Sequence, residues 1–292
     1  MNKTFSPSEA AFSVFELMKR QPQFVMRYAL LSAGVMAIYM FILAGTGAGD
    51  AIQRYAALSQ SDQMPTMEQV QAILGPAMPS LFLSFLMSAI LSAFLTGMAL
   101  RKTLHDREEG FWGLQASPLE GRYLIATVAF VAAMFAATMV LSVVTSLLSA
   151  LHMALGALAV LASIAAMVWF GLRLSQFGVM GVVTGKLGLK ESFEQTNGKF
   201  WRYFGAYLLW GVMTVILGSI VQGLATFGAL GLGTKISSGL PASAKEFATA
   251  GWAFYILVYG MVTGVLNLGF LCIGAYAWHQ SQGALPPPKT AL

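Results

Sequence analysis

The densest gathering of side chains able to do chemistry in water is His105, Asp106, Glu108 and Glu109. A histidine among carboxylates can ligate a metal or move a proton. Consecutive residues, however, do not share a helical face, and no second histidine is near. A solvated charged loop is the plainer reading. His152 precedes the fourth apolar run and His279 closes the sixth, so neither joins the cluster. No GxSxG, HExxH or Walker-type phosphate loop is present. Gly178, Gly181, Gly185 and Gly188 do not match a nucleotide fingerprint and read instead as places where the chain bends and packs. The single cysteine, Cys272, excludes an intrachain disulfide and a cysteine-based metal cluster. We expect no catalytic residue, no cofactor and no metal, and hence no enzyme.

A second set of polar side chains lies in apolar surroundings. Ser80, Ser84, Ser88, Ser92 and Thr96 recur every four residues, which keeps neighbouring hydroxyls on adjoining parts of one slowly rotating helical face. Such a face packs closely against another helix or lines a polar conduit; packing is the simpler role. Ala129, Ala133 and Ala137, and Gly260 with Gly264, fit the same packing role. Gln222 and Asn267 are the most polar side chains far from the ends of their apolar runs. A buried amide needs partners, so both are expected to face protein rather than lipid, and both are also candidate ligand contacts. No Asp, Glu, Lys, Arg or His lies near the middle of any run. Ion-coupled carriers generally depend on such groups or on broken helices, which weighs against that class.

These residues are positioned by apolar helices. The 292 residues are 57% hydrophobic and 10% charged, with mean hydropathy +0.69. Soluble domains average about 25% charged residues. Hydrocarbon about 30 Å thick needs about 20 apolar residues per helix. Six runs qualify, at about 24–45, 79–100, 123–148, 154–174, 203–228 and 250–278. The first is longer than a signal-peptide core and follows a polar lead, so it reads as an uncleaved span. The expected class is therefore all-α: a polytopic membrane protein with six transmembrane helices and cytoplasmic interfacial amphipathic segments.

Orientation follows from the cations. Arg54, Lys235 and Lys245 fall in loops of one parity, and every other Lys and Arg of the 17 falls in the other. Positive residues stay where translocation does not carry them, which puts both termini in the cytoplasm. The net charge of +5 is thus spread beside membrane spans rather than gathered on a soluble module, and no nucleic-acid partner is expected.

Ser6-Pro7-Ser8-Glu9 and Ser117-Pro118-Leu119-Glu120 share one helix-start pattern: a Ser cap, Pro at the first helical position, and Glu reaching back. The first opens an amphipathic stretch with Phe12, Phe15 and Met18 on one face, suited to the membrane surface. Leu187 to Tyr203 forms a similar lead-in to the fifth span, so the chain divides into three units of surface segment and helical hairpin. Thr66 and Gln69 predict a short outer helix that Gly75-Pro76 stops. Domain organisation is thus 1–23 as an interfacial segment, 24–278 as the six-helix body, and 279–292, with Pro286-Pro287-Pro288, as a disordered cytoplasmic tail.

The run from Phe170 to Leu209, with Gly171-Leu172-Arg173, Gly188-Leu189-Lys190-Glu191-Ser192-Phe193 and Gly198-Lys199-Phe200-Trp201-Arg202, resembles the YciC-type bacterial inner-membrane proteins. It is also similar to the membrane domain attached to some glycerophosphodiester phosphodiesterases. The resemblance implies a six-span bundle in the bacterial inner membrane. It carries over no catalytic residue, and the chain has no length for the soluble phosphodiesterase barrel. The expected role is a non-enzymatic component that organises membrane lipid or binds a protein partner or a second copy. Lys186, Lys190, Lys199 and Arg202 are the candidate anionic-lipid contacts. The alternative is a transporter or lipid-handling pore, and a membrane enzyme at His105–Glu109 comes last.

Overall fold

The computed structural model describes residues 5–60, 66–107, 110–236 and 240–282. The described residues are 85% helical and include no strand. The six long helices are α3 (Pro22–Gly45), α6 (Met78–His105), α7 (Pro118–Leu151), α8 (Met153–Leu174), α11 (Phe200–Gly231) and α13 (Ala250–Ser281). All are long and apolar enough to cross a membrane, and the chain is an all-helical, multi-pass membrane protein. Several overshoot the apolar runs that mark them. The last turn of α6 takes in Lys102 and His105, because basic side chains complement the exposed carbonyls of a helix C-terminus.

The remaining helices are short: α1 (Pro7–Ala11), α2 (Ser13–Arg20), α4 (Ala48–Ser59), α5 (Met67–Leu74), α9 (Phe177–Thr184), α10 (Leu189–Gln195) and α12 (Ala244–Phe247). α4 has no counterpart in the sequence reading. Gly47, at φ 75°, turns the chain out of α3, a left-handed angle that glycine adopts without penalty. Asp50 and Arg54, 2.7 Å apart, then pair across one turn of the new helix. Thr66 and Gln69 form the expected reciprocal cap. α5 ends at Leu74, before Gly75-Pro76, as expected, but the chain does not turn away there. Gly75 keeps helical angles, and a 3-10 turn over Gly75–Ala77 leads straight into α6, since a proline within the first turn of a helix gives up no bond.

The two Ser-Pro starts also differ. Ser117 and Glu120 cap α7 in both directions. Ser6 precedes α1 in extended backbone but makes no side-chain cap; its hydroxyl lies 3.1 Å from that of Ser8. Glu9 does not reach back, because its carboxylate accepts a 2.6 Å hydrogen bond from the Tyr276 hydroxyl. Phe12, Phe15 and Met18 are exposed, while Ala10, Ala11 and Val14 are fully buried. The tail from 283 onward lies outside the described residues; His279 to Ser281 still belong to α13.

The chain forms two compact units. The first comprises Met1–Val14, Thr96–Trp210 and Gly269–Leu292. Its core joins Leu100 and Leu104 of α6 to Val179 of α9 and Ala275 of α13. Glycines permit close approach there: a methyl at Gly274 would lie 2.8 Å from Gln176 Oε1, and one at Gly269 would enter the Trp210 indole. α7 and α8 pack along each other, yet only 6% of the apolar stretch of α7 is buried. Phe135, Val140, Leu147, Leu158 and Leu161 are all more than half exposed. An apolar surface this continuous is stable against hydrocarbon, not water.

The second unit comprises Phe15–Leu95 and Gly211–Leu268. Met40, Ala225, Ala229, Trp252, Tyr255 and Ile256 form its core. Gly260 and Gly264 bring α13 against α3: an added methyl would sit 2.8 Å from Ala33 Cα and 2.5 Å from Ser32 Cβ, respectively. This is the small-residue packing that lets membrane helices gain dispersion contacts without a hydrophobic driving force.

Candidate functional site

The polar structure of the first unit is built around three arginines. Arg101, near the end of α6, pairs with Glu120 in the first turn of α7, and both are buried. Arg101 Nη2 also donates to the Gly113 carbonyl at 3.1 Å. Glu120 meanwhile accepts from the Ser117 amide at 3.0 Å and from its hydroxyl. One carboxylate thus serves as helix cap and counter-ion. The loop it closes exposes Phe111 and Trp112, stacked at 5.9 Å.

Arg173, at the end of α8, lies over the Phe193 ring at 4.6 Å and the Trp169 ring at 5.5 Å. Its guanidinium donates to the Phe193 carbonyl at 3.3 Å and to Asn197 Oδ1 at 3.3 Å. The first of these bonds satisfies a carbonyl left open where α10 ends. Ser192 bridges the two helices from inside: its hydroxyl donates to the Arg173 carbonyl at 2.8 Å and accepts from the Gln176 amide at 3.0 Å. The Gln176 side chain, 1% exposed, donates to the Tyr207 hydroxyl at 2.9 Å. These bonds hold α10 against α8.

Arg122, two residues after Glu120, is exposed and makes no ion pair among the described residues. With Lys186 it lines a shallow, open surface cleft with about 10 Å³ of free volume, whose other walls are Leu119, Tyr123, Ala126, Phe177, Gly178, Gly181 and Leu187. Two glycines fix this geometry. Gly185, at φ +66°, ends α9, and a methyl there would stand 3.4 Å from Arg122 Nη1. Gly188, at φ +76°, is buried, and a methyl on it would come within 2.5 Å of the Gly181 amide nitrogen. Gly178 and Gly181 themselves lie inside helix α9 rather than at bends; a methyl at Gly178 would meet the Tyr123 ring at 2.8 Å. No acidic side chain lines the cleft among the described residues.

The four cations expected to contact lipid have different neighbours. Lys186, with its side chain 74% exposed, stands 3.9 Å from Glu191, while Lys190, 84% exposed, stands 3.8 Å from Glu194. Arg202 Nη1 donates to the Phe5 carbonyl at 3.1 Å, and Phe5 packs edge-on against Tyr203. Together with the Glu9–Tyr276 bond, this ties the N-terminal segment down within its unit. Burial first, and the adjacent Arg202 charge second, hold the Lys199 ammonium below its ordinary pKa.

The serine stripe divides. Ser84 and Thr96 are buried, Ser80 and Ser88 are half-buried and Ser92 is exposed. Four residues overshoot one helical turn, so the stripe winds by about 160° from its first member to its last. Ser84 returns its proton to the Leu81 carbonyl of its own helix at 2.8 Å. Gln222 and Asn267 correct the expectation that these amides face protein: both are exposed. The surfaces of α11 and α13 that pack inward are taken by Ala225, Ala229, Leu266 and Leu268, which leaves the amides on outward faces.

At the histidine and acid cluster, His105 is exposed and Asp106 pairs with Lys102 at 2.8 Å; Glu108 and Glu109 lie outside the described residues. His152 instead caps α8, accepting from the Ala154 amide at 3.1 Å, and His279 Nε2 lies 3.1 Å from the Thr103 carbonyl. No group of three metal-ligating side chains occurs among the described residues. Searches of family models, characterised proteins and solved structures find no match to the chain.

Proposed function

We propose that this chain is a non-enzymatic, multi-pass protein of the bacterial inner membrane, with both termini cytoplasmic, that engages anionic lipid at its cytoplasmic face and organises lipid or a protein partner there. Membership of the YciC-type proteins belongs to the same proposal and rests on residues 170–209. The observation that carries the lipid role is the segment from α9 into α11, where the extended cations Lys186 and Lys190 alternate with exposed Leu187 and, beyond Lys199, Trp201 at 76% exposure. Cations with neighbouring aromatic and aliphatic side chains match a headgroup layer, where charge meets phosphate and rings sit at the water boundary. Replacing Lys186, Lys190 and Lys199 by Gln should lower the anionic phospholipid that copurifies in mild detergent. Unchanged retention would remove the lipid role.

A transporter or lipid-handling pore is the second reading. It is favoured by the exposure of Ser92, Gln222 and Asn267, since polar side chains on outward faces of apolar helices are destabilising against lipid and well solvated along a wet path. Reconstitution into liposomes tests it: Gln222→Leu and Asn267→Leu should each reduce lipid scrambling or solute leak above that of protein-free vesicles. Flux no greater than in such vesicles excludes this reading.

A further inference from the structure

We infer that the cleft between the start of α7 and the α9–α10 connection is a discrete site for the phosphodiester of one anionic phospholipid, with Arg122 and Lys186 as its phosphate ligands. The inference rests on the lipid-engaging role proposed above and gives it an address. Two like charges line one cleft without an acid among the described wall residues, and the guanidinium stands beside the Gly185 turn. Two cations in the walls of one cleft favour an anion bound there. Lys186 pairs with Glu191 at 3.9 Å; Arg122 has no acidic partner among the described residues.

Depth and shape select the ligand. No Asp, Glu, Lys or Arg follows Arg122 in α7, so this residue marks the polar end of a membrane-crossing helix, where headgroup phosphates lie. The rest of the wall is apolar: Leu119, Ala126 and Leu187 beside the stacked rings of Tyr123 and Phe177, 5.3 Å apart. A phosphate set above such a wall suits a group that carries acyl chains. An Arg offers a planar fork for two phosphate oxygens, and a Lys adds a point charge. Choline on the same phosphate would meet the cations unfavourably, so phosphatidylglycerol is preferred over phosphatidylcholine.

The test is native mass spectrometry of the delipidated full-length protein in mild detergent, titrated separately with phosphatidylglycerol, phosphatidylcholine and glycerol 3-phosphate. One phosphatidylglycerol per chain should persist under activation that strips the others. Arg122→Gln should weaken that adduct about fivefold, Arg122→Lys should keep most of it, and Arg107→Gln, at an exposed cation outside the cleft, should leave it intact. Equal weakening by Arg122→Gln and Arg107→Gln overturns the discrete site and leaves a diffuse basic surface. Glycerol 3-phosphate binding as tightly as the lipid overturns the lipid assignment in favour of a soluble phosphate ester. No preference for phosphatidylglycerol in any variant removes both the site and the lipid role.

Discussion

Removing the Glu120 carboxylate while leaving Arg101 in place should be among the most damaging single changes in the first unit. The side chains are only 4% and 10% exposed, so the arginine would be left as a buried charge whose remaining bond among the described residues is to the Gly113 carbonyl. Breaking a buried pair from one side costs about 3–5 kcal/mol. Loss of a helix cap alone costs about 1 kcal/mol. Glu120→Ala suffers both, whereas Ser117→Ala loses the cap and keeps the ion pair. Exchange of the pair for Met at 101 and Leu at 120 removes the stranded charge and should recover most of the loss, because desolvation offsets much of the attraction in such pairs. The assay is equilibrium unfolding in mixed micelles, run as a double-mutant cycle. If Glu120→Ala is no worse than Ser117→Ala, the carboxylate is not neutralising a buried arginine and the account of this junction fails.

At the α3–α13 contact, even the first side-chain carbon added at Gly264 would lie 2.5 Å from Ser32 Cβ, while nothing lies within 4 Å of one added at Gly223. Gly264→Val should therefore destabilise by about 1–3 kcal/mol, with Gly223→Ala as the control in the same unfolding assay. Tyr276→Phe should free Glu9, and with it the N-terminal segment, from α13, detected as faster proteolysis ahead of α3, and an unchanged cleavage rate would contradict a tether at that bond. Gln176→Leu removes the amide donor to the Tyr207 hydroxyl and should cost about 1–3 kcal/mol, whereas a neutral result would mean that water reaches the pair. If the outward faces of α11 and α13 meet hydrocarbon, Gln222→Leu should be neutral or stabilising in unfolding assays, and a clear destabilisation would show that the amide has a partner in the membrane.

How far the sequence could be read depended on how local each cause was. The six spans follow from runs of apolar side chains, and the Ser117 cap from four consecutive residues; both are properties of short segments. The Ser6 cap failed for a non-local reason, because the Glu9 carboxylate is drawn to Tyr276, 267 residues away. The serine period of four was visible, but whether a hydroxyl is buried depends on which neighbour passes it, and the stripe meets different surroundings along its length. Gln222 and Asn267 were read as protein-facing because an amide in an apolar run costs free energy in lipid. Yet that penalty does not choose the face, since the bulk of inward packing is set by Ala225, Ala229, Leu266 and Leu268.

By itself the sequence determined the class and the number of helices able to cross. Hydrophobic length acts on each segment separately, whatever its neighbours. Only the tertiary structure decided which charges meet. Arg101 finds Glu120 across a loop, Arg173 closes the end of α10, and Arg122 shares a cleft with Lys186 where Gly185 and Gly188 take backbone angles that side chains disfavour. Those encounters depend on the path of the backbone through space, and a one-dimensional pattern of charge and hydropathy does not encode that path.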